Sequence, residues 1–107
     1  MLMTSTAVRL IPVTALESNN PIAIERGGVH YLIVKQDENV YVVEDRCGHF
    51  GVSMKNGNVE ENCIRCPVHG AKFNLETGEL VNDFFEECDP VNVFLWQKKD
   101  GWLEVLI

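Results

Sequence analysis

The sequence predicts an all-β protein, on three observations. Short runs rich in β-branched and aromatic residues recur at 29–35, 40–44, 91–96 and 102–107, each bounded by turn residues. Turn chemistry joins them in pairs: Gln36-Asp37-Glu38-Asn39 lies between the first two, and Lys98-Lys99-Asp100-Gly101 between the last two, where Asp-Gly suits positive φ. No amphipathic helix of useful length is present, and residues 15–20 offer at most one helical turn before Pro21.

Tyr41, Phe94, Trp96 and Trp102 are spaced like strand residues and are expected to pack the core. Between the second and third runs the chain changes character. Residues 45–77 show few periodic apolar positions and are rich in glycine, with Gly48, Gly51, Gly57, Gly70 and then Gly78, so something other than a core is expected there. No repeat, low-complexity tract or linker divides the 107 residues, and one domain over 1–107 is expected, with a distinct subdomain at about 45–78.

Composition narrows the function. The chain is 46% apolar, enough for a packed core, and 16 acidic against 9 basic residues give a formal charge of -7. That charge opposes nucleic-acid phosphates and anionic membrane surfaces, and suits a basic protein partner. No apolar run approaches the ~20 residues that span a bilayer, because Arg9, Glu17, Glu25, Lys35 and Glu44 interrupt every candidate. The apolar stretch 7–13 contains Arg9 and leads to no small-residue cleavage site, so no secretory signal and a cytoplasmic location are expected. Four cysteines (Cys47, Cys63, Cys66, Cys88) in such a chain point to metal or redox chemistry in preference to a disulfide framework.

Two motifs carry that chemistry. Cys47-Gly48-His49 and Cys66-Pro67-Val68-His69-Gly70 each offer one thiolate and one imidazole on a glycine-containing loop, a donor set that suits iron or zinc. Zinc fingers usually place two cysteines at one end and two histidines at the other, around a helix. The order here is Cys-His, Cys-His, which matches a binuclear cluster whose one iron takes both cysteines and the other both histidines. Two ferric ions, two sulfides and two thiolates sum to zero charge, so an added electron meets less repulsion than on a four-thiolate cluster. Gly48, Gly51 and Gly70 are the candidates for bringing backbone N–H groups close to the sulfides.

Cys47-Gly48-His49-Phe50-Gly51 and Ile64-Arg65-Cys66-Pro67-Val68-His69-Gly70-Ala71-Lys72-Phe73, followed by Thr77-Gly78, resemble the two boxes of Rieske proteins. The resemblance implies stacked antiparallel sheets, a small cluster-binding subdomain at the tip, and one 2Fe-2S cluster on Cys47, His49, Cys66 and His69. Many relatives have Pro at the position of Gly48, and a Gly-Pro-containing segment where this chain has residues 82–90. High-potential relatives carry a second cysteine in each box, where this chain has Val52 and Val68, and a Ser and a Tyr where it has Ala71 and Phe73. A low reduction potential is therefore expected.

The remaining candidates have plainer readings. Cys63 is expected to be a packed thiol, since Cys66 is needed as a ligand, and Cys88 and His30 are expected to be structural or solvated. The acidic group Asp83, Glu86, Glu87 and Asp89 reads as a solvated loop, with steering of a basic partner as its second reading.

The resemblance implies a ferredoxin that takes electrons from a flavin-dependent reductase and gives them to the terminal oxygenase of an aromatic-ring hydroxylating system, binding no small-molecule substrate. An oxygenase needs a further domain with a mononuclear iron site, for which 107 residues leave no room. A permanent subunit of a larger redox enzyme, similar to the small subunit of assimilatory nitrite reductase, and a zinc-stabilised interaction module are the alternatives.

Overall fold

In the computed structural model, which describes residues 7–47, 52–68, 70–82 and 89–106, strands make up nearly all the regular structure. In chain order they are β1 (Ala7–Pro12), β2 (Ile22–Arg26), β3 (Val29–Gln36), β4 (Asn39–Glu44), β5 (Asn58–Glu60), β6 (Cys63–Arg65), β7 (Lys72–Asn74), β8 (Leu95–Lys99) and β9 (Trp102–Leu106). They form antiparallel sheets ordered β1-β9-β8, β2-β3-β4 and β5-β6-β7, as the all-β reading expected. Both expected hairpins form. Asp100 and Gly101 take φ of 53° and 82°, the two positive values whose twist matches flanking strands, and Asp37 takes 55° in the β3–β4 turn.

The β2-β3-β4 sheet is the middle layer, because its strands alternate side chains between two cores. Tyr31, Ile33 and Val42 pack with Leu10, Leu103 and Val105 of the first sheet. Leu32, Val34 and Val43, facing the other way, pack with Met54, Ile64, Phe73 and Leu75. A strand buried on both faces reads as an unbroken apolar run, which is why residues 31–34 show no polar alternation.

Several expectations are corrected. Residues 45–77 do contribute to a core, one shared with Leu32, Val34 and Val43 of the middle sheet; β5, β6 and β7 have three residues each, too few for a period to show in sequence. The strand expected over 91–96 is β8, beginning at Leu95. Residues 91–94 pass beside β4 with single bonds, Glu44 N–H to Asn92 carbonyl (2.8 Å) and Phe94 N–H to Val42 carbonyl (2.9 Å), because this segment crosses between sheets. In place of a helical turn at 15–20 there is a 3-10 turn at Val13–Ala15. It stops where Leu16 extends into the core and the Asn19 N–H reaches the Lys35 carbonyl at 2.7 Å.

The four aromatics expected in the core sit at its fringe. Trp96 is half-exposed and its indole N–H donates to the Val40 carbonyl (3.1 Å). Trp102 lies under the Arg9 guanidinium, 5.1 Å from the ring centre, and Phe94 meets Tyr31 edge-on at 4.9 Å. Tyr41 is half-buried, its hydroxyl donating to Asn62 Oδ1. Among the described residues the fully buried aromatics are Tyr31 and Phe73.

One glycine locks the second core to the crossing segment. Gly78 has φ of 79°, accepts from the Val91 N–H (2.9 Å), and a Cβ there would fall on the Val91 carbonyl oxygen. Positive-φ strain and that clash together should make Gly78→Ala less stable by roughly 2–3 kcal/mol in urea unfolding. A variant as stable as the parent would contradict this placement.

Candidate metal centre

β4 and β6 each lead directly into a cysteine, Cys47 three residues after Glu44 and Cys66 immediately after Arg65. Both are buried, 0% and 1% exposed, and both belong to the core between the second and third sheets. The two loops close alike. The Cys47 N–H donates to the Val52 carbonyl (2.9 Å) and the Cys66 N–H to the Ala71 carbonyl (2.7 Å), so each cysteine begins a six-residue arch. His49 falls in the first arch by sequence and His69 in the second. Both lie outside the described residues, as do Gly48 and Gly51, and among the described residues no three potential ligands gather.

Each arch has its own buttress. Behind the first, the buried Asp45 carboxylate accepts from Ser53 Oγ (2.7 Å) and the Met54 N–H (2.8 Å), while its own N–H donates to the His30 carbonyl (2.9 Å). Behind the second, the Gly70 carbonyl accepts from both Arg65 Nη1 (3.0 Å) and Asn82 Nδ2 (2.9 Å), and the Gly70 N–H donates to the Cys66 carbonyl (3.1 Å). Gly70, with φ of 80°, is the expected glycine that the structure describes.

Arg65 is itself oriented by Glu60, with Nε to Oε2 at 2.7 Å, and Lys72 Nζ lies 3.2 Å from Glu60 Oε1. These partners, Arg65 first and then Lys72, hold the Glu60 carboxyl down to about 2 from 4.5. A depressed folded-state value stabilises the fold above the unfolded value, and that contribution is lost as pH falls from about 4.5 towards 2. Urea unfolding followed by circular dichroism should therefore show the parent more stable than Glu60→Gln above about pH 4.5, with the margin shrinking as pH falls towards 2, and a margin that does not change with pH would contradict the pairing.

The donor chemistry fits an iron–sulfur cluster. Two soft thiols are withheld from water in one core, and the arches following them carry the imidazoles. Ala71 is 0% exposed, and among the described residues nothing accepts a hydrogen bond from its N–H, a donor suited to a sulfide. Val52, at the end of the first arch, and Val68, within the second, are exposed apolar side chains, at 36% and 51%.

Of the other candidates, Cys63 is buried in β6, as expected of a packed thiol. His30 is exposed and lines an open cavity of about 550 Å³ with Glu44, Arg46 and Asn92. Cys88, Asp83, Glu86 and Glu87 lie outside the described residues, and Asp89 is exposed. Asp45, Arg65 and Asn82 were not singled out from sequence, because their roles depend on partners brought together by folding.

Residues 6–103 match the Rieske [2Fe-2S] domain family. The chain belongs to this family. It is 32% identical over 72 residues to the 3-phenylpropionate/cinnamic acid dioxygenase ferredoxin subunit of Photorhabdus laumondii, covering 66% of this chain and 67% of that protein. It is 34% identical over 79 residues to apoptosis-inducing factor 3 of Mus musculus, which covers 74% of this chain; the chain spans 13% of that relative's length. The ferredoxin in a complex of reduced oxygenase and oxidized ferredoxin of carbazole 1,9a-dioxygenase superposes with a TM-score of 0.81 at 24% identity, covering 92% of this chain and 99% of that one. The cofactor of this Rieske protein is accordingly a 2Fe-2S cluster, which sets the zinc reading aside.

Proposed function

We propose that this Rieske protein is an electron carrier, not itself a catalyst, that passes single electrons from a flavin-dependent reductase to a terminal oxygenase. Cys47 and Cys66 hold one iron of the cluster, and His49 and His69 hold the other. The observation that carries this reading is the pair of buried cysteines at the heads of two identically closed arches in one core. Bound there, the cluster supplies a one-electron redox centre. The chain's own residues exclude water from the thiolates, brace each arch from behind, and expose an apolar side chain on each arch, Val52 and Val68.

The partner assignment is supported by the names of similar proteins: one is the ferredoxin subunit of a dioxygenase, another a ferredoxin solved with its oxygenase. The charge of -7 suits docking to a basic surface. No helix of the described residues is long and apolar enough to cross a membrane, and reduced thiols fit a cytoplasmic setting.

Stopped-flow mixing with a purified flavin reductase and an aromatic-ring oxygenase tests the carrier role. Transfer should slow as salt rises, since the guiding field is screened within about 10 Å at 0.1 M. Salt-independent rates, with a complex that survives gel filtration in high salt, would make the protein a permanent subunit instead.

A further inference from the structure

We infer that Arg65 and Asn82 are positioning residues of the cluster, acting together through one peptide group. This rests on the ligand reading above. The Gly70 carbonyl directly follows His69 in the chain and receives two side-chain donors, Arg65 Nη1 at 3.0 Å and Asn82 Nδ2 at 2.9 Å. Neither donor is loosely held. Arg65 is fixed by Glu60 through Nε (2.7 Å) and Nη2 (3.3 Å), and Asn82 Oδ1 accepts from the Lys72 N–H at 2.9 Å.

A trans peptide is planar, and its carbonyl and N–H point in opposite directions. Drawing the Gly70 oxygen towards Arg65 and Asn82 therefore turns the Ala71 N–H to the other side. Ala71 is fully buried in the core that contains Cys47 and Cys66, and among the described residues its N–H has no acceptor. A sheet ladder would have taken that N–H to the Cys66 carbonyl, opposite the bond from Cys66 N–H to Ala71 carbonyl; the Gly70 N–H occupies the Cys66 carbonyl instead. The clamp thus holds a buried donor ready for the sulfur of the centre. A donor to sulfur favours the more negative, reduced form and raises the potential.

The test is voltammetry of the cluster-loaded protein with Arg65→Gln, Asn82→Ala and the double variant, using Lys72→Gln as a charge control. Asn82→Ala changes no charge and should still lower the midpoint potential. Because either donor alone retains part of the hold on Gly70, the double variant should fall by more than the sum of the single shifts. The double shift should correspond to about a tenfold loss in the reduction equilibrium, about 59 mV for one electron. Lys72→Gln should shift less than Arg65→Gln. Additive shifts with Lys72→Gln equal to Arg65→Gln, or a potential unchanged in Asn82→Ala, would overturn the clamp. If the double variant takes up no cluster, the loaded Asn82→Ala protein decides by the same criterion. A parent protein without a 2Fe-2S spectrum would instead overturn the ligand reading on which the clamp depends.

Discussion

Cys47→Ser and Cys66→Ser should each yield a protein that holds no 2Fe-2S cluster, and so should His49→Ala and His69→Ala. A hydroxyl is a hard donor that stays protonated near neutral pH, so serine replaces the volume of the thiol without its affinity for iron. On the proposed ligand set each arch supplies one ligand to each iron, so the effect should be close to complete. Cys63→Ser should keep the cluster, since Cys63 belongs to the ladder of β6 and pairs with Glu60 and Asn74. It should instead lose about 1–3 kcal/mol of stability through a buried hydroxyl. Iron content and visible absorbance of the purified variants give the answer. A Cys63→Ser protein without cluster beside a Cys66→Ser protein with it would reverse the ligand assignment.

The second large effect concerns the potential, expected near the low end of the Rieske range of about -150 to +300 mV. High-potential relatives place hydroxyls where this chain has Ala71 and Phe73. Both of these side chains are fully buried, Ala71 in the core with Cys47 and Cys66, and Phe73 in β7 opposite Ile64. No water reaches these positions to substitute for the missing donors, so the reduced form is less stabilised. Val52 and Val68 replace the cysteines that cross-link the two boxes in those relatives. Voltammetry at neutral pH should give a midpoint well below 0 mV, and one well above it would contradict the reading. Ala71→Ser and Phe73→Tyr should each raise the potential. A new hydroxyl that finds no acceptor would leave the potential unchanged and cost about 1–3 kcal/mol of stability.

What was legible in the sequence was local. Asp-Gly at 100–101 and the segment 36–39 announced their hairpins because turn chemistry is written in adjacent residues. The two Cys/His boxes announced a metal centre because ligand type and spacing are chemical constraints. The pairing of β1 with β9 was not visible, since it joins Ala7 to Leu106 across nearly the whole chain and shifts register between Arg9 and Ile11. Nor was the middle-layer position of β3, whose continuous apolar run fits several architectures. The buttresses were hidden for the same reason: Asn82 reaches Gly70 across 12 positions, and nothing in an isolated Asn marks a partner.

The central claim is that each arch gives one thiolate and one imidazole to a shared cluster, and pulsed EPR of the reduced protein labelled with 15N-histidine tests it most directly. The account predicts strong coupling to two ring nitrogens, from His49 and His69. Iron without nitrogen coupling, as in a cluster held by the four cysteines Cys47, Cys63, Cys66 and Cys88, would contradict it.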